Sequence, residues 1–191
     1  NAVPPAGVQF LGTVGGGDSL IVEGGSATAV GYSLSEPGFG SITSSIAKVS
    51  YENVASVLDT VTAAARSVEF GFLADVVTVG PGSVAEQTRL NHGAAMLDFV
   101  SPTASLSVGL GQGFDSLTLN ALDPSFTADV SIDGSLGDDV IDAENAGRQV
   151  TLRGGFGNDT VKGGEMADRI EGGLGDDLLM GNGGSDLFYG Q

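Results

Sequence analysis

The chain has no cysteine, no tryptophan, one histidine and only seven basic residues among its 191. Without cysteine and with one histidine, it lacks the thiolate and imidazole ligands that zinc and copper prefer. Seven Lys and Arg against 24 Asp and Glu give a formal charge of −17, so nucleic acid and anionic membranes would be repelled. No run of about 18 apolar residues is present that could cross a bilayer. We therefore expect neither a nucleic-acid partner nor membrane insertion.

Hydrophobic residues make up 41% of the chain, which is enough for a packed core and argues against a disordered acidic polymer. One elongated domain is sufficient to hold 191 residues. The chain begins with Asn1 in place of a methionine, so we expect a processed or excised piece of a larger protein.

Residues 154–189 consist of four nine-residue units, GGFGNDTVK, GGEMADRIE, GGLGDDLLM and GNGGSDLFY. The leading glycines tolerate positive φ and let the backbone curl, so that carbonyl oxygens can point at a common centre. In the strand half of each unit, only position eight faces the core. Every unit has an aspartate at position six and a large apolar residue at position eight: Asp159 with Val161, Asp168 with Ile170, Asp177 with Leu179, and Asp186 with Phe188.

These units resemble the calcium-binding RTX nonapeptide repeat, G-G-x-G-x-D-x-U-x, a parallel β-helix signature. The resemblance implies that two consecutive units make one turn and that calcium lies between stacked glycine-rich loops. Asp159 would then stack on Asp177, and Asp168 on Asp186. Met166 and Asn182 depart from the motif, which predicts a weaker site at Asp168. The metal ligands implied are Asp139, Asp159, Asp168, Asp177, Asp186, Gly155, Gly157, Gly173 and Gly175.

Calcium is also favoured by the residues themselves. Two carboxylates about 4 Å apart repel by roughly 4 kcal/mol at an intermediate dielectric, and a glycine-rich chain carries a large ordering entropy. Hard oxygen ligands favour calcium, so we expect several calcium ions and no folding of this stretch without them. Aspartates can also serve only as turn residues, but four copies in register favour the metal. Cytosolic calcium is far below the roughly 10⁻⁴–10⁻³ M at which weak extracellular modules bind, so we expect an extracellular, secreted or cell-surface protein.

The same register continues towards the N-terminus. Residues 134–142, GSLGDDVID, repeat the pattern with Asp139, and weaker copies contain Asp115, Asp75 and Asp18. The intervals between successive aspartates shorten from Asp18 towards the strict repeats. The first two intervals, from Asp18 to Asp75 and from Asp75 to Asp115, divide into about three and two steps of similar length. This predicts one continuous coil with turns of roughly 20 residues.

The predicted fold is therefore all-β, a right-handed parallel β-helix or β-roll solenoid. Residues 1–133 would form an irregular parallel β-helix, and residues 134–191 an RTX-like calcium-binding β-roll continuous with it. Predicted strands in the first part are 27–32, 47–51, 54–58, 67–72, 95–100 and 104–108. The texture of residues 8–142 resembles the β-helical arrays of giant surface proteins from planctomycetes and other environmental bacteria, which implies a surface or matrix role.

An enzyme site would need clustered carboxylates or a base with basic partners. The single candidate cluster is Arg89 and His92 with Glu86 or Asp98, although the segment around His92 is more typical of a loop. Seven scattered basic residues offer little to hold a polyanionic sugar, and three tyrosines give no dense stacking platform. We expect no enzymatic activity.

The sequence thus predicts a calcium-binding structural module of a bacterial surface, adhesin, matrix or fibre protein. The alternative is the RTX repeat region of a secreted enzyme or glycan-binding protein. The last two units place Leu178, Met180, Leu187 and Tyr189 on the outward face. Candidate partners are therefore a neighbouring domain or a second copy at the end of the coil, and also a cell-surface glycan.

Overall fold

The computed structural model describes residues 7–11, 18–23, 25–36, 39–44, 48–51 and 54–190. Within these ranges the chain forms β-strands and no helix, which confirms the predicted all-β class. The strands are β1 (Gly7–Leu11), β2 (Asp18–Glu23), β3 (Ser26–Glu36), β4 (Phe39–Ser44), β5 (Lys48–Tyr51), β6 (Val54–Asp59), β7 (Thr62–Phe70), β8 (Val76–Pro81), β9 (Gln87–His92), β10 (Ala95–Val100), β11 (Ser105–Gly109), β12 (Ser116–Leu119), β13 (Asp129–Leu136), β14 (Val140–Asp142), β15 (Thr151–Phe156), β16 (Thr160–Lys162), β17 (Arg169–Leu174), β18 (Leu178–Met180) and β19 (Leu187–Tyr189). Each predicted strand overlaps one of these strands; residue 47, at one end of a predicted strand, lies outside the described residues.

From β11 onward, successive strands alternate between two sheets. The first sheet contains β8, β12, β14, β16 and β18 in that order, and the second contains β7, β11, β13, β15, β17 and β19. All pairs among these strands are parallel. Thr160 pairs with Leu178, so one step along the sheet equals two nonapeptides. From β15 onward, turns of three or six residues separate the strands, and each turn leads the chain into the opposite sheet.

The sheets are mixed rather than purely parallel. In the first sheet β8, β9 and β10 pair antiparallel, and β9 and β10 lie between β6 and β8. In the second sheet β3, β4 and β5 also pair antiparallel. The prediction of a parallel helix throughout residues 1–133 is therefore wrong for these strands. The physical reason is the short connection: only Gly93 and Ala94 separate β9 from β10, and a two-residue link can join only antiparallel neighbours.

The spacing of the early aspartates has a different origin from the one predicted. The interval from Asp75 to Asp115 corresponds to one step and not two, because Val77 of β8 pairs directly with Leu117 of β12. The extra residues form the inserted strands β9 and β10. Asp18 begins β2, which pairs with β6, and β6, β10 and β9 separate it from β8. The side chain of Asp18 lies outside the described residues.

The apolar core lies between the two sheets and becomes thinner towards the C-terminus. Strands β8 and β12 each bury two apolar side chains, whereas β16 and β17 each bury one, Val161 and Ile170. The prediction that position eight alone faces the core is confirmed at these two residues. Phe188, at the same position of β19, is 47% exposed because no further strand follows it among the described residues. The nonapeptide turns therefore bury little apolar surface, and hydrophobic packing contributes less to their stability.

A buried ion pair ties the N-terminal strands together. The Arg66 guanidinium is fully buried and lies 2.9 Å from Asp59 Oδ2. It also donates to the Tyr32 hydroxyl and to the carbonyls of Val61 and Val100, while Tyr32 donates to Asp59 at 2.7 Å. Every charge in this cluster has hydrogen-bond partners, so the pair is stable in the core although desolvation penalises it.

Replacing Arg66 by methionine should lower the free energy of unfolding by about 3–5 kcal/mol, because it leaves the Asp59 carboxylate buried without a cation. Arg89→Met, which breaks the more exposed pair with Asp98, should cost about 1 kcal/mol or less. Urea denaturation followed by circular dichroism measures both. Equal losses for the two variants would contradict a special role for the buried pair.

Candidate metal centre

The aspartates that precede the strands of the first sheet form one hydrogen-bonded column. The backbone N–H of each donates to Oδ1 of the aspartate one turn further on: Asp75 to Asp115 (2.7 Å), Asp115 to Asp139 (2.8 Å), Asp139 to Asp159 (2.8 Å) and Asp159 to Asp177 (3.0 Å). The predicted stacking of Asp159 on Asp177 is therefore present. It continues two turns further towards the N-terminus than the predicted ligand set.

A second, shorter column lies on the opposite edge. Asp168 N–H donates to Asp186 Oδ1 at 2.9 Å, which is the predicted stack. Val150 N–H donates to Asp168 Oδ1, also at 2.9 Å. In the preceding turn Val150 occupies the position of the aspartate. The second column therefore contains no aspartate before Asp168. The structure brings the five predicted aspartates together as two separate columns: Asp139, Asp159 and Asp177 in one, and Asp168 and Asp186 in the other.

Glycines at positions two and four of the turns allow the loops to stack closely. Gly155 and Gly157 have φ of 120° and 130°, and Gly173 and Gly175 have 106° and 141°, a region that side chains disfavour. A Cβ on Gly175 would overlap the carbonyl oxygen of Gly157, and one on Gly173 would overlap that of Gly155. Each predicted glycine therefore places a bare α-carbon against a carbonyl oxygen of the previous loop. These loops present rows of main-chain oxygen.

Three aspartates of the column each have a second carboxylate oxygen that is buried without a hydrogen-bond partner. Among the described residues, Oδ2 of Asp115, Asp139 and Asp159 accepts no hydrogen bond, although each residue is at most 2% exposed. A Cβ on Gly154 would overlap Asp159 Oδ2 and lie 2.6 Å from the Gly172 carbonyl oxygen. The carboxylate oxygen of Asp159 and the carbonyl oxygen of Gly172 thus both lie next to Gly154, where a side chain does not fit. Neither the turn nor its neighbours among the described residues supply a donor to the carboxylate oxygen. A cation can satisfy both acceptors, whereas a buried acceptor without a partner is costly.

The same convergence occurs in two other turns. A Cβ on Gly134 would meet Asp139 Oδ2 at 2.6 Å and overlap the Gly154 carbonyl. A Cβ on Gly163 would meet Asp168 Oδ2 at 2.5 Å and the Gly181 carbonyl oxygen at 3.1 Å. Asp168 differs in one respect, because its Oδ2 already accepts a hydrogen bond from Gly164 N–H at 2.7 Å. The weaker site at Asp168 stays a prediction, and this bond gives a physical reason for it.

Burial makes these carboxylates hold protons strongly. The pKa of Asp139 is raised to about 7, mainly by desolvation and also by the charges of Asp115, Asp159 and Asp138, while the hydrogen bond from Asp115 N–H lowers it. Desolvation is also the main cause that raises the pKa of Asp115, Asp159 and Asp168. A column of such groups is costly to ionise at neutral pH unless a cation accompanies it.

A histidine terminates the column at its N-terminal end. His92 Nε2 lies 2.6 Å from Asp75 Oδ1, and both side chains are buried. The ring also packs edge-on against Phe70 at 4.9 Å. His92 ends strand β9, so the predicted loop is wrong at this residue. Buried and half-buried residues alternate over Gln87–His92 in the structure, but the sequence QTRLNH contains one apolar residue and gives no strand signal.

The candidate catalytic cluster does not assemble. Arg89 donates two hydrogen bonds to Asp98, at 2.7 and 2.6 Å, on the outer face of the first sheet. His92 is three residues further along β9 and points inward, because side chains alternate along a strand. Arg89 and His92 therefore lie on opposite faces.

Side chains alone do not make a metal site. Across the described ranges, no group of three or more His, Cys, Asp or Glu side chains lies close enough to hold an ion. Main-chain oxygens must complete the coordination, and the glycine rows supply them. Carboxylate and carbonyl oxygens are the ligands that calcium prefers, in shells of roughly six to eight. Stacked turns that present both carboxylate and carbonyl oxygens are typical of repeats that bind cations.

Comparison with known proteins identifies the repeats. A family model described as the RTX calcium-binding nonapeptide repeat (4 copies) matches residues 127–145, 151–165 and 162–191. The C-terminal part of the chain therefore consists of RTX calcium-binding nonapeptide repeats. No curated protein and no solved structure matches the chain at a significant level. The likeness of residues 8–142 to giant surface proteins thus stays a prediction.

Gly154→Ala should lower stability by about 1–3 kcal/mol or more, because the methyl group fills the space between Asp159 Oδ2 and the Gly172 carbonyl. Gly80→Ala is the matched control, since its Cβ would meet nothing closer than Asn120 Cβ at 3.6 Å. Denaturation with saturating calcium measures both. Equal stability of the two variants would contradict the close approach of Asp159 Oδ2 and the Gly172 carbonyl to Gly154.

Without calcium, the fold should lose stability as pH rises from about 4 to about 7. The folded pKa of Asp139 lies above its unfolded value of 3.8, so its contribution is complete at low pH and is lost as pH passes through about 7. Thermal melting in a chelator at several pH values measures this. Asp139→Asn should flatten the profile, and a melting temperature that rises over this range in the parent chain would contradict the prediction.

Proposed function

We propose that this chain is an extracellular calcium-binding structural module of a bacterial surface, adhesin, matrix or fibre protein. Residues 134–191 would coil into a β-roll solenoid on binding calcium, continuous with an irregular β-helical part over residues 1–133. The observation that carries the proposal is the pair of buried, unpartnered oxygens, Oδ2 of Asp139 and of Asp159.

Three ions are the number that the turns support best. Each would bind where an aspartate Oδ2 and a carbonyl of the next turn converge: Asp139 with Gly154, Asp159 with Gly172, and Asp168 with Gly181. Asp177 and Asp186 complete the columns by accepting hydrogen bonds from the turns before them. The bound ions would stabilise turns that bury at most one apolar side chain per strand, and would offset part of the charge of −17.

An extracellular location is supported by the affinity range of weak calcium modules and by the usual occurrence of RTX repeats in secreted proteins. In the part of the chain that the structure describes, no helix has the length and apolar character to span a bilayer. Calcium binding after export would couple folding to the outside of the cell.

Self-association or contact with a neighbouring domain is supported by the C-terminal end of the stack. Strands β18 and β19 are the last strands of their sheets, and Leu187, Phe188 and Tyr189 are 40–51% exposed. An uncovered strand edge with apolar side chains is a surface that another chain can cover.

The alternative is a repeat region of a secreted enzyme or glycan-binding protein. It is favoured by a groove of mixed lining, in which Ser19, Ser56 and Gln87 offer polar groups to a sugar beside apolar residues such as Leu20 and Met96. We propose no catalytic activity for the chain itself. Retention on a panel of neutral and acidic polysaccharides tests the glycan role, and absence of retention on every member would remove it.

The Asp159→Asn variant tests whether Asp159 binds calcium or only accepts the hydrogen bond that holds the turn. Asparagine keeps the Oδ1 acceptor for Asp139 N–H and replaces the unpartnered Oδ2 by a donor. In chelator the variant should show at least as much β-structure by circular dichroism as the parent chain, because a buried acceptor is removed. In calcium it should be less stable, and its calcium midpoint by circular dichroism should rise about tenfold or more.

The matched control is Asp142→Asn, which changes an outward carboxylate paired with Lys162 in the same region. It should leave the calcium midpoint nearly unchanged. If Asp159→Asn has the same calcium midpoint as the parent chain, Asp159 is not a calcium ligand. If the circular dichroism of the parent chain does not respond to calcium, the proposed function fails.

A further inference from the structure

An apolar stripe runs along the loop edge of the second sheet. Leu136, Phe156 and Leu174 end strands β13, β15 and β17 and are paired in register. They are 42%, 56% and 51% exposed. We call these three residues the loop-edge stripe. Gln112 holds the same position in the preceding turn, through a bridge to Leu136. Contiguous exposed apolar side chains of this size are typical of interaction surfaces.

An acidic row borders the loop-edge stripe. Two residues beyond each stripe residue lie Asp138, Asn158 and Asp176, all exposed. Asn158 N–H donates to Asp138 Oδ1 at 2.7 Å, and Asp176 N–H donates to Asn158 Oδ1 at 3.0 Å, which holds the row in place. These carboxylates carry negative charge beside an apolar surface.

The opposite border is nearly balanced in charge. Arg153 lies 3.8 Å from Asp133 and 3.6 Å from Glu171, and Arg169 lies 3.9 Å from Glu171, so two basic residues balance two acidic ones on this border. The stripe therefore lies between an acidic border and a charge-balanced one, on a chain whose formal charge is −17. A complementary partner combines apolar side chains with lysine or arginine, whereas a second copy of this chain would be repelled.

The spacing of the stripe indicates the partner's secondary structure. Neighbouring strands lie about 4.8 Å apart, so the three side chains repeat at that distance. One turn of an α-helix rises about 5.4 Å, and its apolar residues at i, i+3 or i+4, and i+7 repeat at nearly the same distance. We propose that the loop-edge stripe is a docking surface for a basic amphipathic helix, presented only by the calcium-folded chain. This inference rests on the proposed function.

The test uses the full calcium-loaded chain and a labelled peptide of about 14 residues, with leucine on one helical face and lysine on the other. Fluorescence anisotropy should show binding that weakens with salt. A leucine–glutamate peptide and a lysine–serine peptide should not bind. Removal of calcium should release the leucine–lysine peptide.

The triple variant Leu136→Gln, Phe156→Gln and Leu174→Gln should lower the affinity at least tenfold. Glutamine is chosen because Gln112 already occupies this position in the preceding turn. Val84→Gln, at an exposed apolar residue between β8 and β9, is the control and should bind the peptide as the parent chain does. Asp138→Asn with Asp176→Asn, which repeats Asn158, should weaken binding and reduce its salt dependence.

Circular dichroism separates this inference from the proposed function. A parent chain that does not fold with calcium refutes both. A parent chain that folds but does not bind the peptide, or a triple variant that folds at the same calcium midpoint and binds equally well, overturns the docking surface alone. A dimer found by sedimentation that the triple variant abolishes also overturns it, because a second copy is then the occupant.

Discussion

Asp115, Asp139 and Asp159 each use one carboxylate oxygen to hold the turn before them, and the other oxygen is buried without a hydrogen-bond partner among the described residues. Oδ1 of Asp159 fixes the position of Asp139, while Oδ2 of Asp159 accepts no hydrogen bond from the described residues. Because desolvation disfavours the buried charge, a proton or a cation must balance it, and the calcium ion that we propose would do so at neutral pH. The glycines follow from the same constraint, since a side chain at Gly154 would occupy the space beside that oxygen.

The buried carboxylates have different partners in the N-terminal and C-terminal parts of the chain. In the N-terminal part, the buried carboxylate of Asp59 has Arg66 as its partner, and Asp75 has His92. The strand of Arg66 also buries three apolar side chains, whereas the strand of His92 buries one. In the C-terminal part, Asp139, Asp159 and Asp168 have no cationic side chain within ion-pair distance among the described residues, and the core narrows to one residue per strand. The part that buries least apolar surface is thus the part that matches the calcium-binding repeats.

Much of the candidate site could be predicted from the sequence because the nonapeptide is short and strict. The spacing of 18 residues between Asp159 and Asp177 sets which aspartates stack, and the structure places them so. The inserted hairpin was not predictable from spacing alone, because the interval between Asp75 and Asp115 divides equally well into two turns or into one turn with an insertion. The role of His92 was missed for a related reason. Its partner is 17 residues away and is brought close only by the antiparallel pairing of β8 and β9.

A crystal structure of the calcium-loaded chain tests the central claim most directly, since anomalous scattering can locate calcium and distinguish it from water. We expect an ion between Asp159 Oδ2 and the carbonyl oxygen of Gly172, at the roughly 2.3–2.6 Å that calcium–oxygen bonds require. Corresponding ions should lie beside Asp139 and Asp168. A calcium-saturated crystal with no ion beside Asp159 Oδ2, or with a donor group hydrogen-bonded to that oxygen, would contradict the claim that the carboxylate column is built around calcium.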